Sequence, residues 1–264
     1  IGFNYRDTLW TRFPQTFPGA KFIGTETTSA LATRGSYDLP SEIIRRWPAR
    51  WDQPFKDGNP ELTCSAYDNC SAPWGTTHRD SWRLIKDNAF LTGMYIWTGF
   101  DYLGEPTPYW WPARSSYFGI IDLAGFPKDV YWFYRSEWTD KDVLHIFPHW
   151  NWNPGQTVDV WAFTNCDEVE LFLNGVSLGK QSKGEKDFNL VWKVPFEEGT
   201  LLGVGYRNGA EIMRSTVSTA GEPAALVLSP DRSEINADGS DLSFITVTVV
   251  DRNNNPVPHA GNMV

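Results

Sequence analysis

Three short apolar segments in the first part of the chain each end in polar or acidic side chains. They are Ile1–Tyr5, Phe22–Glu26 and Gly93–Asp101, and stretches with turn and helical character separate them. Buried parallel strands have short apolar sequences, and a crossover between two of them needs roughly a dozen residues or more, usually including a helix. The pattern therefore predicts a parallel α/β sheet in this part of the chain.

Three other segments have the periodicity or composition of helices. Apolar residues recur at helical spacing in Asp80–Leu91, and aromatic residues suited to packing fill Pro127–Glu137. We also predict a helix over Pro40–Trp51, with Ser41 as its N-cap. Helices that lie between and after strands agree with an α/β arrangement.

The pattern changes near Thr139, where short alternating strands separated by turns begin. The predicted strands are Leu144–Pro148, Val158–Thr164, Val169–Leu173, Leu190–Val194 and Leu201–Tyr206. Asn-Gly pairs, which are typical of tight hairpin turns, lie between some of the predicted strands. We therefore predict an immunoglobulin-like β-sandwich over residues 139–221. Strands from Leu226 onward predict the start of a second β-sandwich over residues 222–264.

The composition argues against two classes of partner. The formal net charge is −9 and there is no basic run, whereas binding to nucleic acid or to an anionic membrane surface needs clustered Lys and Arg. No apolar run reaches the ~18 residues of a membrane-spanning helix, so we expect no membrane span. Aromatic residues make up 15% of the chain, with 14 Trp, which suits both stacking on sugar rings and β-sandwich cores.

Three cysteines leave two interpretations open. Cys64 and Cys70 lie six residues apart in a Gly/Pro/Asn-rich stretch, so they form either a small disulfide-closed loop or two free thiols. A structural zinc site needs about four ligands, and neither Cys166 nor the histidines supply a second pair at suitable spacing. The sequence shows no metal ligand set, so we assign no metal and no cofactor to the site, and metal dependence stays an open question.

One carboxylate stands out because it lies directly after a predicted buried strand. Glu26 lies within Lys21–Thr28. Apolar or small residues precede it in this stretch, and small polar residues follow it. A carboxylate where a buried strand emerges is costly unless it is paired or used, and in a β/α barrel the catalytic groups lie at that point. Glu26 is therefore either a candidate catalytic residue or a solvated or ion-paired structural residue.

Three of these segments resemble glycoside hydrolase family 2, the group of β-galactosidases and β-glucuronidases. Ile23–Ser29 resembles the strand that carries the family's nucleophile. Gly2–Tyr5 resembles the sixth barrel strand of the family, and Ile96–Tyr102 resembles the eighth. The resemblance implies that residues 1–138 are the C-terminal part of a (β/α)8 TIM barrel, comprising strands six to eight.

The second half of the chain carries two further resemblances. Val169–Gly175 is similar to a strand and turn in the sandwich that follows the barrel in this family. Ala237-Asp238-Gly239, together with Phe244–Asp251, resembles part of a bacterial immunoglobulin-like repeat. The resemblance thus implies a multidomain chain, in which an immunoglobulin-like β-sandwich and a partial second one follow the barrel strands.

The resemblance implies a retaining exo-β-glycosidase that acts on carbohydrate, most closely a bacterial β-galactosidase that forms a covalent glycosyl-enzyme. It assigns Glu26 the role of nucleophile, with the Tyr5 hydroxyl as a hydrogen-bond donor that holds its charge and angle. Asn4, Trp97 and Asp101 are the substrate-binding candidates. In that assignment Asn4 positions the sugar or a carboxylate, Trp97 forms the floor under the ring and Asp101 accepts from hydroxyls.

One part of the family's catalytic pair has no counterpart here. The general acid/base is a glutamate preceded by asparagine, and this chain contains no Asn-Glu pair. Three strands also cannot close a barrel, so we expect the chain to be inactive by itself. One alternative is the same chemistry on β-glucuronides or β-mannosides. For a glucuronide, the candidates for binding the carboxylate are Arg6, Arg34 and Arg114. The other alternative is a non-catalytic carbohydrate-binding or scaffolding piece.

Structural roles are alternatives for several of these residues. Tyr5 and Trp97 are also typical of a barrel core, and Asp101 of an acceptor at a strand end. Glu105 is a rival carboxylate, but its place in the loop after the last strand favours a structural role. Residues in the long loops are expected to include some that wall the pocket, from among Tyr67, Asp68, Asn69, Trp74, His78, Trp110 and Trp111.

We infer the cellular setting from the net charge and the cysteines. The net charge of −9 and a disulfide between Cys64 and Cys70 would agree with export to a bacterial periplasm or cell surface. A homo-oligomer is compatible with the sequence, which specifies no interface.

Overall fold

The three strands predicted first form one parallel sheet. The computed structural model describes residues 1–46, 52–53 and 55–262. β1 (Gly2–Asn4), β2 (Phe22–Thr28) and β5 (Leu91–Trp97) pair in parallel, in the order β1-β2-β5. The predicted parallel arrangement is confirmed for these strands, and their closure into a barrel with further strands stays a prediction.

Helices lie between and after the strands of this sheet. Their bounds are a 3-10 helix at Asp7–Arg12, α1 at Phe13–Thr16, α2 at His78–Asp87 and α3 at Asp129–Trp138. β3 (Arg45–Arg46) and β4 (Cys70–Ser71) pair with each other in parallel before α2 begins. α2 and α3 confirm the two helices predicted around β5, with bounds shifted by a few residues. In the described ranges, no helix has the length and apolar character that crossing a bilayer requires.

The helix predicted over Pro40–Trp51 is wrong for the part that the structure describes. The Ser41 backbone N–H and hydroxyl both donate to Asp159 Oδ2, at 2.8 and 2.7 Å, and do not cap a helix. Arg45 enters β3, which pairs with β4. Residues 47–51 lie outside the described residues. A contact between positions 118 residues apart therefore replaces the local helix that the sequence favours.

Two antiparallel sheets follow α3. Their strands are β6 Leu144–Phe147, β7 Thr157–Thr164, β8 Glu168–Leu173, β9 Val176–Ser182, β10 Leu190–Pro195, β11 Thr200–Arg207 and β12 Ala210–Ser218. One sheet has the order β10-β7-β6, and the other has the order β12-β11-β8-β9. The strands predicted in this region are confirmed. The sequence does not predict β9 and β12, because these edge strands are rich in polar residues.

The two sheets pack face to face around one apolar core. Val169, Leu171 and Leu173 alternate along β8 with more exposed residues and are all buried. Trp150 and Leu201 are fully buried in the same core. Burying one such apolar side chain contributes roughly 2 kcal/mol to folding, so this core holds the sandwich together. The immunoglobulin-like type of the sandwich and its boundaries stay predictions.

Aromatic packing joins the α/β part to the sandwich. The Phe163 ring lies 5.6 Å from that of Phe133 in α3 and 5.0 Å from that of Phe147, measured between ring centroids. The Tyr67 hydroxyl, in the loop before β4, donates to the Asp159 carbonyl at 2.6 Å. This buried interface supports the loops that surround the carboxyl ends of β2 and β5.

An antiparallel strand pair follows the sandwich. β13 (Ala225–Pro230) and β14 (Ile245–Val250) form it, and apolar side chains such as Leu228 and Val247 are exposed on it. The Gly221 N–H donates to Asp251 Oδ2 at 2.8 Å and ties the pair to the end of the sandwich. That this pair begins a second sandwich stays a prediction.

The cysteines answer the question that the sequence leaves open. Cys64, Cys70 and Cys166 are all buried free thiols. Burial, followed by the hydrogen bond with Cys70, raises the pKa of the Cys64 thiol well above its ordinary value. Because the reactive species is the thiolate, a buried thiol with a raised pKa reacts slowly.

A sharp corner follows Glu26 at the end of β2. Thr28 and Ser29 both have left-handed backbones, with φ values of 79° and 49°. This conformation is unusual for a β-branched residue and costs of the order of 1–3 kcal/mol. The Thr76 N–H donates to the Thr28 carbonyl at 2.7 Å and holds the corner in place. Gly75 leaves room for the Thr28 carbonyl, because a Cβ at position 75 would lie 2.1 Å from the Thr28 oxygen.

The Gly75→Ala substitution should therefore destabilise the full-length protein. The added methyl group must displace the Thr28 carbonyl, and overpacking of this kind costs about 1–3 kcal/mol. Thermal unfolding followed by calorimetry measures the loss. Gly221→Ala is the matched control, because its Cβ would lie no closer than 3.7 Å to any other atom. Equal stability of the two variants would contradict this description of the corner.

His78 is a neutral histidine buried at the start of α2. Its Nδ1 lies 2.8 Å from the Tyr134 hydroxyl. Burial, and then the charges of Lys128 and Arg79, lower the pKa of His78 to about 3. The unfolded chain has a histidine pKa of about 6.5, so it binds more protons than the folded chain between these values. The stability from His78 is complete above about pH 6.5 and is lost as the pH falls toward 3.

His78→Asn should flatten the dependence of stability on pH. The wild-type protein should lose of the order of 1 kcal/mol or more between about pH 6.5 and 5, and the variant should lose less over the same interval. Burial raises the pKa of Asp68 to about 6, so the effect of this carboxyl on stability has the opposite sign over part of this range. Asp68 is present in both proteins and does not affect the comparison. Thermal unfolding of the full-length proteins across the interval tests this. Parallel pH profiles would contradict it.

Candidate active site

The carboxyl ends of β1, β2 and β5 bring Tyr5, Glu26 and Trp97 to one edge of the sheet. Asn4 is in register with Glu26, and the Tyr5 N–H donates to the Glu26 carbonyl at 2.9 Å. Thr28 is in register with Trp97 on the other side. Parallel strands end at the same edge, so the positions predicted as a site from their places after strands lie at one edge of the sheet, and their catalytic and binding roles stay predictions.

Tyr5 lies beside the Glu26 carboxylate. Its backbone is left-handed, with a φ of 50°, and the Trp10 indole N–H donates to its carbonyl at 2.8 Å. The phenol oxygen accepts from Ser29 Oγ at 2.9 Å, and the Glu26 carboxylate lies near enough to affect the pKa of this phenol. Burial, together with the neighbouring Glu26 carboxylate, raises the pKa of Tyr5, and the Ser29 donor opposes that rise. The phenol therefore stays protonated and keeps its O–H as a donor beside a half-buried carboxylate.

A second hydrogen-bonded chain begins at Trp97. The Trp97 indole N–H donates to the Tyr102 hydroxyl at 3.1 Å, and that hydroxyl donates to Glu105 Oε2. Burial, and then the bond to Glu105, raises the pKa of Tyr102. Glu105 has a left-handed backbone, with a φ of 44°, and its charge also contributes to the raised pKa of Tyr5. The position of Glu105 in the sequence favours a structural role and no sequence signal marks Tyr102, whereas the structure connects both residues to Trp97.

Asp101 and Asn4 make protein contacts that compete with a role in substrate binding. Asp101 Oδ2 lies 2.7 Å from the buried Lys128 Nζ, and Oδ1 accepts from the Gly119 N–H at 2.8 Å. Asn4 Oδ1 accepts from Thr25 Oγ1 at 2.7 Å, and its amide nitrogen makes no hydrogen bond within the described part of the chain. These contacts give Asp101 a structural role, and substrate contacts by Asp101 and Asn4 stay predictions.

The loop residues proposed as pocket walls separate into two groups. Tyr67, Asp68 and His78 are buried in the scaffold, where Asp68 accepts from two backbone N–H groups at the start of α2. Trp74 reaches the site, because its indole N–H donates to Ser29 Oγ at 3.2 Å. Trp111 is exposed, with the Arg114 guanidinium 4.6 Å from its ring centroid. Within the described residues, no cluster of three or more His, Cys, Asp or Glu has the arrangement of a metal site.

A cavity of about 750 Å³ lies elsewhere, between the α/β part and the sandwich. Residues of its lining include Arg34, Tyr37, His149, Trp152 and His259. Neither Glu26 nor Tyr5 lines it. Its Arg34 already pairs with Asp122 at 2.7 Å, so this cation is satisfied within the chain. The candidate chemistry therefore lies at the strand ends and not in this cavity.

Two family models match the second half of the chain. Residues 155–213 match a model described as a domain of unknown function (DUF4982). Residues 226–264 match a model described as glycoside hydrolase family 2 C-terminal domain 5. The first match lies within the sandwich, and the second includes β13 and β14.

Curated relatives match the chain more extensively. Beta-galactosidase BoGH2A of Bacteroides ovatus is 53% identical over 265 residues, which is 100% of this chain and 31% of that protein. A putative beta-glucuronidase of Formosa agariphila is 38% identical over 272 residues, covering 92% of this chain and 26% of that protein. The chain thus spans about a third or less of the length of these relatives.

Solved structures give the same affiliation. A beta-glycosidase from Bacteroides vulgatus matches 99% of this chain and 36% of its own, with a TM-score of 0.87 and 33% sequence identity. A beta-glucuronidase from glycoside hydrolase family 2 matches 95% of this chain and 25% of its own, with a TM-score of 0.69 and 25% identity. Together with the arrangement of the strand ends, these matches establish that the chain belongs to glycoside hydrolase family 2.

Proposed function

We propose that this chain is part of a retaining exo-β-glycosidase that hydrolyses terminal β-D-galactosides. In this proposal residues 1–138 contribute strands six to eight of a TIM barrel, and the modules at 139–221 and 222–264 are immunoglobulin-like. The observation that carries the proposal is the Glu26 carboxylate, which lies near the end of a parallel strand with the Tyr5 phenol beside it. Membership of family 2 supports the assignment.

Glu26 acts as the nucleophile. Its carboxylate attacks the anomeric carbon, the bond to the leaving oxygen breaks and a glycosyl ester forms. A second carboxyl group, about 5–5.5 Å from the first in retaining enzymes, protonates the leaving oxygen and then activates water. The chain has no counterpart of the family's Asn-Glu pair, so we place this second group outside residues 1–264.

Tyr5 serves Glu26 in both halves of the cycle. Before attack, the phenol donates to the carboxylate, favours its ionised form and restricts its rotation. When water hydrolyses the glycosyl ester, the carboxylate is the leaving group, and the same donor stabilises the returning negative charge. The half-buried Trp97 supplies an apolar surface beside this pair, which suits the face of a pyranose ring.

A galactosyl substrate is favoured by the 53% identical relative that bears a β-galactosidase name. A β-glucuronide is the second candidate, because the Formosa agariphila relative is named a putative beta-glucuronidase. A glucuronide needs a cation in the pocket. Arg34 pairs with Asp122, and Arg114 lies over the Trp111 ring. This leaves Arg6, which directly follows Tyr5, as the candidate reader.

The Glu26→Gln substitution in the full-length enzyme should reduce kcat by about a thousandfold or more, because an amide cannot form the glycosyl ester. The fold should be retained, as measured by circular dichroism and thermal unfolding. Glu222→Gln, at an exposed glutamate between the sandwich and β13, is the matched control and should keep wild-type turnover. Wild-type kcat in Glu26→Gln would rule out the assignment.

Substrate class and stereochemistry are tested together with nitrophenyl glycosides. The full-length enzyme should hydrolyse the β-galactoside fastest among β-galactoside, β-glucuronide and β-mannoside.

Proton NMR should detect the β-anomer of the sugar first, since two inversions retain the configuration. Initial release of the α-anomer would contradict the retaining mechanism, and a preference for the glucuronide would replace the proposed substrate.

A further inference from the structure

Two residues behind Tyr5 connect it to a loop that takes no part in the proposed chemistry. Ser29, fully buried at the corner after β2, places its Oγ 2.9 Å from the Tyr5 phenol oxygen. Trp74, in the loop before α2, places its indole Nε1 3.2 Å from the same Oγ. These two contacts link three side chains, and the Tyr5 phenol at their end lies beside the Glu26 carboxylate.

The direction of each hydrogen bond in this chain is fixed by chemistry. An indole N–H only donates, so Ser29 Oγ accepts from Trp74. Ser29 therefore donates its single proton to the Tyr5 oxygen, which leaves the Tyr5 proton free for another acceptor. The neighbouring Glu26 carboxylate, when ionised, only accepts, so it is the acceptor to which we assign that proton. All the donors are therefore oriented toward the Glu26 carboxylate.

The backbone around Ser29 holds this geometry rigidly. Ser29 lies in the left-handed region, and its carbonyl accepts from the Ala72 N–H at 3.0 Å. Gly75 fits against the corner where no side chain has room. Strain that the surroundings maintain next to a reactive group is a reason to look for a functional role. Trp74 itself is 41% exposed, so core packing does not account for its position.

We propose that Ser29 and Trp74 are positioning residues for the nucleophile, which act through Tyr5 as a directed relay of hydrogen-bond donors ending at Glu26. Hydrogen bonds in such a chain polarise one another, by about 10–30% each. Ser29 thereby makes Tyr5 a stronger donor and fixes its angle. The relay favours the ionised carboxylate before attack and the departing carboxylate during hydrolysis of the glycosyl ester.

This inference rests on the proposed function, and its test uses the full-length enzyme and a nitrophenyl β-galactoside. Ser29→Ala should lower kcat about tenfold with KM changed less than twofold, because the relay acts on the reacting carboxylate and not on sugar binding. The acidic limb of the kcat/KM profile, which reports ionisation of the nucleophile, should move to higher pH by about half a unit. Trp74→Phe, which keeps the ring and removes only the N–H donor, should give a smaller change of the same sign.

A double-mutant cycle separates the relay from independent effects. Since Trp74 acts only through Ser29, Trp74→Phe should have no further effect on the acidic limb in the Ser29→Ala background. Ser136→Ala is the matched control, because this buried hydroxyl donates to the Phe133 carbonyl inside α3, away from the site. It should leave the pH profile unchanged even where it lowers the unfolding temperature.

The outcomes keep this inference separate from the proposed function. An unchanged pH profile in both Ser29→Ala and Trp74→Phe, with Glu26→Gln inactive, would overturn the relay and leave the nucleophile in place. Additive shifts in the double mutant would also overturn it. If Ser29→Ala fails to fold, the exposed Trp74→Phe variant decides alone, by its shifted or unshifted acidic limb. Full turnover in Glu26→Gln would remove the proposed function itself.

Discussion

The parallel pairing of β1 with β2 is the constraint on which the site depends. It sets Asn4 beside Glu26 and lets the Tyr5 N–H bond the Glu26 carbonyl at 2.9 Å. The backbone turns at Tyr5, which is left-handed, and the phenol lies beside the carboxylate of the neighbouring strand. Backbone register thus provides the positioning that a nucleophile requires.

The surroundings of the site are built from buried polar contacts that only a well-packed scaffold can support. Lys128 Nζ bonds Asp101 Oδ2 and the Ala32 carbonyl, each at 2.7 Å, beneath the end of β5. Burial lowers the pKa of Lys128 and raises that of Asp101, and each charge opposes the shift of the other. Removing one partner of a buried ion pair lowers the free energy of unfolding by about 3–5 kcal/mol. Because breaking this pair is so costly, it holds the loop that starts at Asp101 in place. Asp101 thus ties the segment after β5 to Lys128.

The strands that short stretches of sequence specify by themselves are predictable from the sequence. Apolar runs located β1, β2 and β5, and alternation located most sandwich strands, because burial on one or two faces imposes those patterns directly. The same logic placed Glu26 and Tyr5 at strand ends, where parallel pairing brings them together. The resemblance to family 2 then suggested their roles.

The elements that sequence reasoning missed depend on contacts between distant positions. The helix predicted from Pro40 fails because Ser41 bonds Asp159, which no local window includes. Ser29 and Trp74 meet only because of the corner at Gly75. A glycine directly after Trp74 was a usable signal of close backbone approach. The loop carboxylate Glu105 joined the Trp97 network for the same reason, since a turn returns it to the strand ends.

The central claim is that Glu26 is the nucleophile of a sugar-cleaving site. It is tested most directly by trapping the glycosyl-enzyme with a 2-deoxy-2-fluoro-β-galactoside on the full-length protein. We expect one added fluorosugar, mapped by peptide mass spectrometry to Glu26 within the sequence Phe22–Thr28. A label on Glu105 or on any other residue would contradict it.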